Sequence, residues 1–145
     1  MKQNKFDVKK NKDKRLIRQI IIKMYAAWDK EDIKKISSCG TEDCKLIFYN
    51  PDGTINHQAI GEKQGMRELK EEFDSMPDRR SKITNMVIEV LNHKAIATVD
   101  IISNITTKEG KALILIYSGI LKFRKEDKWK IYRYEERWEK WINLD

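Results

Sequence analysis

The strand-like segment near the end of the chain concentrates the residues best able to do chemistry. Trp129-Lys130-Ile131-Tyr132-Arg133-Tyr134-Glu135-Glu136-Arg137-Trp138 alternates in character as an extended segment does. Alternate residues of a strand share a face, so Tyr132, Tyr134, Glu136 and Trp138 fall together, and Ile131, Arg133, Glu135 and Arg137 fall opposite. The aromatic face is the one expected to point inward. A carboxylate set among aromatic rings loses hydration, which raises its pKa and suits it to general acid–base work. The competing reading is a solvated charge cluster, because Glu135, Glu136, Arg137, Glu139 and Lys140 crowd one stretch. His57 is the second proton-transfer candidate. It is expected in a loop before a helix, where an imidazole at a cavity mouth shuttles protons near neutral pH. An exposed loop histidine without chemistry is the alternative.

Other chemistries find no support in the sequence. Cys39 and Cys44 are the only cysteines and lie far from His57 and His93, so no zinc pattern forms. They read as two free thiols. There is no H-x-x-H, no phosphate-binding glycine loop and no G-x-S-x-G elbow. The expectation is a protein without metal or organic cofactor. Asp100 lies in an apolar strand, but alternation groups Ala95, Ala97, Val99 and Ile101 on the inner face and turns Asp100 outward.

The elements that must position these residues follow from periodicity. Ile17, Ile20, Ile21, Met24 and Trp28 step by three or four, predicting a helix over Lys14 to Trp28. A short second helix, Ile33 to Ser37, is capped by Asp32 and ended by Gly40. Lys45 to Tyr49 reads as a strand, Asn50-Pro51-Asp52-Gly53 as a turn, and Glu62 to Phe73 as a helix. The period then changes to two. Long strands are predicted at 81–91, 94–106, 111–125 and 128–138, with connections short enough to make antiparallel hairpins.

With 145 residues the chain is expected to form one domain over 14–145. Residues 1–13 are lysine-rich and aperiodic, and are expected as a basic flexible tail or a frayed helical extension. The net charge of +7 is mostly local. Residues 1–15 hold seven basic side chains against two acidic ones, whereas the rest of the chain is close to balance. That distribution argues against nucleic-acid binding by the domain as a whole. No apolar run approaches the roughly 20 residues that span a bilayer. A soluble, cytoplasmic protein without membrane attachment is expected.

The order helix, helix, short strand, helix, four long strands resembles the nuclear transport factor 2-like superfamily, which includes SnoaL-like cyclases and ketosteroid isomerase. The resemblance rests on Met24-Tyr25-Ala26-Ala27-Trp28 followed by Glu31-Asp32-Ile33. It rests also on Glu42 to Phe48 with Gly61 and the Met66–Phe73 helix, and on Trp129-Lys130-Ile131. It implies an α+β fold, a cone-shaped curved antiparallel sheet wrapped around N-terminal helices, and a homodimer formed through the outer sheet face. It also places Tyr25 where ketosteroid isomerase has an oxyanion-stabilising tyrosine, a donor worth more in a dry site than in water. A buried core tyrosine is the alternative. The isomerase aspartates are not matched: their positions fall near Phe48 or Asn50 and near Gly119. Asn50 is either a polar group at the cavity mouth or simply the first residue of its turn.

Together these readings predict a domain that binds a small hydrophobic molecule in an aromatic-lined pocket of Trp28, Phe48, Asn50, Met66, Phe73, Tyr117, Tyr132 and Tyr134. The alternative is a cofactor-independent lyase, isomerase or cyclase using Tyr25 with Glu136 or His57. A third reading is binding of an acidic partner or nucleic acid through the basic start of the chain.

Overall fold

The computed structural model of the chain describes residues 5–144. Its elements are α1 (Lys5–Asp29), α2 (Ile33–Ser38), β1 (Gly40–Tyr49), β2 (Ile55–Ile60) and α3 (Glu62–Ser75), followed by β3 (Asp78–Leu91), β4 (Lys94–Thr106), β5 (Ala112–Lys125) and β6 (Trp129–Asn143). The six strands form one sheet in the order β2-β1-β6-β5-β4-β3. The fold is α+β, a curved sheet that closes over the helices without joining its edges. The sheet is not wholly antiparallel, as expected from the sequence, but mixed, because β1 and β6 run parallel. They can do so because α3 and four strands separate them in the chain.

Helix α1 buries Ile17, Ile21, Met24, Tyr25 and Trp28, each 3% exposed or less. Their three- and four-residue steps keep one stripe against the sheet. The helix starts at Lys5, not at the expected Lys14. Asp13, assigned to a flexible tail by its charged neighbours, is 4% exposed and accepts the Trp129 indole N–H at 3.0 Å. Residues 1–4 of that expected tail lie outside the described residues. Glu31 adopts φ of 57° after the helix end, and Asp32 caps α2 by accepting from Lys35 N at 3.1 Å.

Strand β2 has no counterpart in the predicted elements. Only Ala59 of its six residues is buried, so the apolar alternation that marks a strand is missing. The four long strands agree with expectation in order and pairing, although β6 continues beyond Trp138 to Asn143. On β4 the buried residues are Ala95, Ala97, Val99, Ile101, Ser103 and Ile105, so Asp100 faces outward as its parity requires.

Two irregularities set the aim of β6. Phe123 pairs with Ile131 and Lys122 with Arg133, leaving Tyr132 as an extra residue. A bulge of this kind breaks strict alternation. Trp129 and Ile131 point inward before it, and Tyr134 and Glu136 point inward after it. A second shift leaves Glu139 extra, while Trp138 still pairs with the buried Tyr117.

Candidate functional site

The interior of the cone is lined from every side by polar and aromatic groups. Helix α1 supplies Tyr25 and Trp28, and α3 supplies Glu72 and Phe73. The sheet supplies Phe48, Arg79, Ser81, Ser103, Tyr117, Tyr134, Glu136 and Trp138.

Glu136 is the centre of this group. It is 2% exposed, and both carboxylate oxygens are occupied. The Tyr134 hydroxyl donates to Oε1 at 2.8 Å, and the Trp138 indole N–H donates to Oε2 at 2.7 Å. The Tyr25 and Tyr134 hydroxyls are 3.3 Å apart. Tyr134 has one proton and spends it on Glu136, so Tyr25 is the donor of that last bond. The chain of donation therefore runs from Tyr25 through Tyr134 to Glu136.

Burial lifts the pKa of Glu136 from 4.5 to about 7, and the negative charge of Glu72 adds to the lift. Arg79 and the two hydrogen bonds pull the other way but do not cancel it. Burial, and then the Glu136 charge, hold Tyr117 up at about 12. Tyr134 is raised well above 10 for the same two reasons, and Tyr25 is raised by burial and by the neighbouring Tyr117. The tyrosines therefore remain neutral donors, while Glu136 exchanges its proton near neutral pH. Once Glu136 is protonated it can donate to Tyr134, the chain can reverse, and the Tyr25 proton is released for another acceptor.

Arg79 joins the site from β3 and was not legible in the sequence. It is 6% exposed and donates from Nη2 to Glu72 Oε1 at 3.0 Å. In Pro77-Asp78-Arg79-Arg80 it reads as one member of a solvated charge run. The only signal is its shared parity with Ser81 and Ile83. A second buried chain lies beside it. Ser81 donates to Asp29 from Oγ at 2.7 Å and from its backbone N–H at 2.8 Å. The Ser81 and Ser103 hydroxyls are 2.8 Å apart, and Ser103 meets the Tyr117 hydroxyl at 3.0 Å. Two buried donors, Trp28 Nε1 and Arg79 Nε, have no hydrogen-bond partner.

Of the residues expected to line the pocket, Trp28, Phe48, Phe73, Tyr117 and Tyr134 are buried together, with Trp28 and Tyr134 ring centres 5.8 Å apart. Three others are placed elsewhere. Tyr132, the extra residue of the bulge, faces outward with Lys94 and Arg124 at 5.9 and 6.0 Å from its ring centre. Met66 lines a cleft of about 660 Å³ with α2 residues Ser37 and Ser38, and Tyr25 is not part of that lining. Asn50 belongs to its turn: Gly53 N donates to its carbonyl at 2.9 Å and its Nδ2 donates to Thr54 at 3.1 Å. His57 is on β2 rather than in a loop. It stacks on Phe48 at 4.4 Å and sits 3.4 Å from Glu68, without a contact to Glu136.

The interior is close-packed where Tyr25 and Tyr134 meet Gly119. A Cβ placed on Gly119 would lie 2.6 Å from the Tyr25 hydroxyl, so glycine there is what admits Tyr25. A cleft of about 590 Å³ is lined by Tyr49, Pro51, Ile120, Glu135, Glu136 and Arg137. Among the described residues no three of His, Cys, Asp and Glu gather in a way that could hold a metal ion.

The register sets Glu136 between two residues that carry no carboxylate. Phe48 pairs with Glu136 on one side and Gly119 pairs with it on the other. Directly paired residues share a face. The carboxylate therefore stands on the strand between the two positions that lack one.

Solved structures with this architecture are numerous. A candidate aromatic ring hydroxylase from Novosphingobium aromaticivorans superposes with a TM-score of 0.80 at 20% identity, over 92% of this chain and 94% of that one. A hexachlorocyclohexane dehydrochlorinase of type 3 from Novosphingobium barchaimii gives 0.77 at 16%, over 92% and 94%. A ketosteroid isomerase-like protein from Erwinia carotovora gives 0.72 at 18%, over 87% and 95%. No family model matches the sequence, and no curated protein matches it. The chain has the nuclear transport factor 2-like fold, a fold shared by proteins of different activity.

Proposed function

We propose that the protein binds a small hydrophobic molecule bearing a hydrogen-bonding head, with the head at Glu136 and the body against Trp28, Phe48, Phe73 and Tyr117. The observation that carries this reading is the fully buried carboxylate held only by neutral donors inside an aromatic shell. Burying such a group costs stability, and a core serving packing alone gains nothing from it. The unpartnered Trp28 and Arg79 N–H groups supply donors for an acceptor on the ligand. Trp138, half-buried and covering one Glu136 oxygen, is the side chain whose rotation would admit the head. In the same reading the protein pairs with a second copy through the outer sheet face, where Val87, Ile96 and Ile120 are exposed. Sedimentation of the wild type against a Val87→Lys, Ile120→Lys variant tests that part.

The experiment for the site is titration with 2-naphthol, an aromatic body with a single hydroxyl, followed by tryptophan fluorescence. Saturable binding that Glu136→Gln weakens at least tenfold supports the reading. Binding unchanged in that variant excludes Glu136 as the anchor.

The donation chain supports a second reading, acid–base catalysis without a cofactor. Glu136, ionised above about pH 7, would take a proton from the bound molecule. With Glu136 protonated, the reversed chain would let Tyr25 stabilise the oxygen on which charge develops. Turnover rising through pH 7 and abolished by Glu136→Gln would support it; turnover indifferent to Tyr25→Phe would remove the tyrosine.

A further inference from the structure

A second recess lies outside the cone, between one face of α1 and the turn joining β5 to β6. Its volume is about 830 Å³. Six lysines border it: Lys9, Lys12 and Lys23 from α1, and Lys125, Lys128 and Lys130 from the β5–β6 hairpin. Asp13 and Asp127 are the acidic residues of its lining, leaving a formal excess of four positive charges. Asp13 is turned inward, accepting from Trp129 Nε1 at 3.0 Å and from Lys125 Nζ at 3.4 Å, so its charge is spent inside the wall. Leu16, Ile20, Cys39 and Trp129 add apolar surface between the lysines, and Leu16 remains 38% exposed.

The shape selects among anions. Lys9 and Lys23 stand at the two ends of a helix face about 21 Å long. One anionic headgroup cannot meet lysines at both ends, whereas an extended peptide of about six residues can. The apolar strip between the lysines asks for apolar side chains between the acidic ones. Nucleic acid fits less well, because the one aromatic ring in the lining, Trp129, is 4% exposed and offers no face for a base. A flat membrane surface does not reach a recessed floor.

We propose that this recess is a docking site for an acidic segment of a partner protein, extended and interleaving acidic with apolar residues on the face turned to the recess. The lysines supply attraction and register, and the Leu16–Ile20 strip rewards the apolar positions. This site is independent of the interior around Glu136: it uses the outer face of α1, whereas Tyr25 and Trp28 lie on the inner one.

The test is fluorescence anisotropy of the full chain with a labelled peptide of about eight residues in which Glu-Glu and Leu-Leu pairs alternate, so that each face of the extended chain carries both. The expected result is saturable binding that weakens steeply with salt. Lys12→Glu combined with Lys128→Glu should weaken it at least tenfold. Lys63→Glu with Lys108→Glu, exposed lysines outside the recess, should leave it unchanged. Leu16→Asn should weaken binding severalfold while the salt dependence stays the same, and an all-glutamate peptide should bind less tightly. Circular dichroism establishes that each variant is folded. Absence of saturable binding at low salt overturns the proposal. So do equal losses in the two double variants, or tighter binding of a DNA oligonucleotide or of phosphatidylserine vesicles than of the peptide.

Discussion

Among the described residues two carboxylates are almost fully buried, and each accepts a hydrogen bond from a tryptophan of β6. Asp13 takes the Trp129 indole at 3.0 Å and also the Lys125 ammonium at 3.4 Å. Glu136 takes the Trp138 indole at 2.7 Å and a tyrosine hydroxyl at 2.8 Å, with no cation in contact. The donors are alike and the settings differ. A counter-ion makes Asp13 a pin that fastens the start of α1 to the β5–β6 hairpin. Without one in contact, Glu136 becomes a proton-exchanging group, because burial raises its pKa by more than Arg79 and its two hydrogen bonds lower it. Burial of a carboxylate does not by itself mark a reactive site; the identity of its nearest donors does.

Removing each group should separate these roles. Asp13→Ala leaves an indole N–H and an ammonium without their acceptor, and should destabilise the protein by about 3 kcal/mol. The midpoint of urea unfolding measures this, and an unmoved midpoint would mean that Asp13 is not a pin. Glu136→Gln should act with the opposite sign at high pH. An exposed glutamate ionises near 4.5 and Glu136 near 7, so the folded state holds the proton more tightly. The resulting stabilisation is complete below pH 4.5, falls as pH rises, and is gone above 7, a change of about 3 kcal/mol. Glutamine removes the slope, so the variant should be more stable than the wild type at pH 8 by about 2 kcal/mol. Parallel pH profiles for the two proteins would contradict the shift.

Smaller effects sharpen the description of the interior. Gly119→Ala should cost about 2 kcal/mol through its clash with the Tyr25 hydroxyl, and Tyr25→Phe in the same chain should restore part of it. Strict additivity of the two changes in thermal unfolding would mean that the hydroxyl does not rest on Gly119. Tyr25→Phe alone loses only a 3.3 Å hydrogen bond and should cost about 1 kcal/mol or less.

The interior was partly legible and partly hidden. Tyr134, Glu136 and Trp138 share a face in the strand pattern, and they share it in the fold. Tyr132 obeys the same pattern and violates it in the structure, because one extra residue in β6 turns it toward Lys94 and Arg124. A bulge is chosen by the pairing partner β5, which a reading of β6 alone does not contain. Arg79 was hidden among charged neighbours, since its burial depends on Glu72 seven residues earlier being folded back against it. His57 was assigned to a loop because β2 is an exposed edge strand with no apolar alternation to reveal it. The helical reading of Lys5 to Asp13 was obscured by a run of lysines, although Asp13 ties the helix there to Trp129.

The sequence by itself determined the order of the three helices and of every strand but β2, the inner stripe of α1 and the inner face of β4. These follow from periods of 3.6 and 2, which are properties of neighbouring residues. The tertiary structure alone decided that Glu136 would stand between Phe48 and Gly119 and be joined to Tyr25 through Tyr134. That junction links residues 109 positions apart and depends on the parallel register of β1 with β6. Local periodicity sets which side of an element is apolar; only the pairing of distant strands sets which polar group that side will meet.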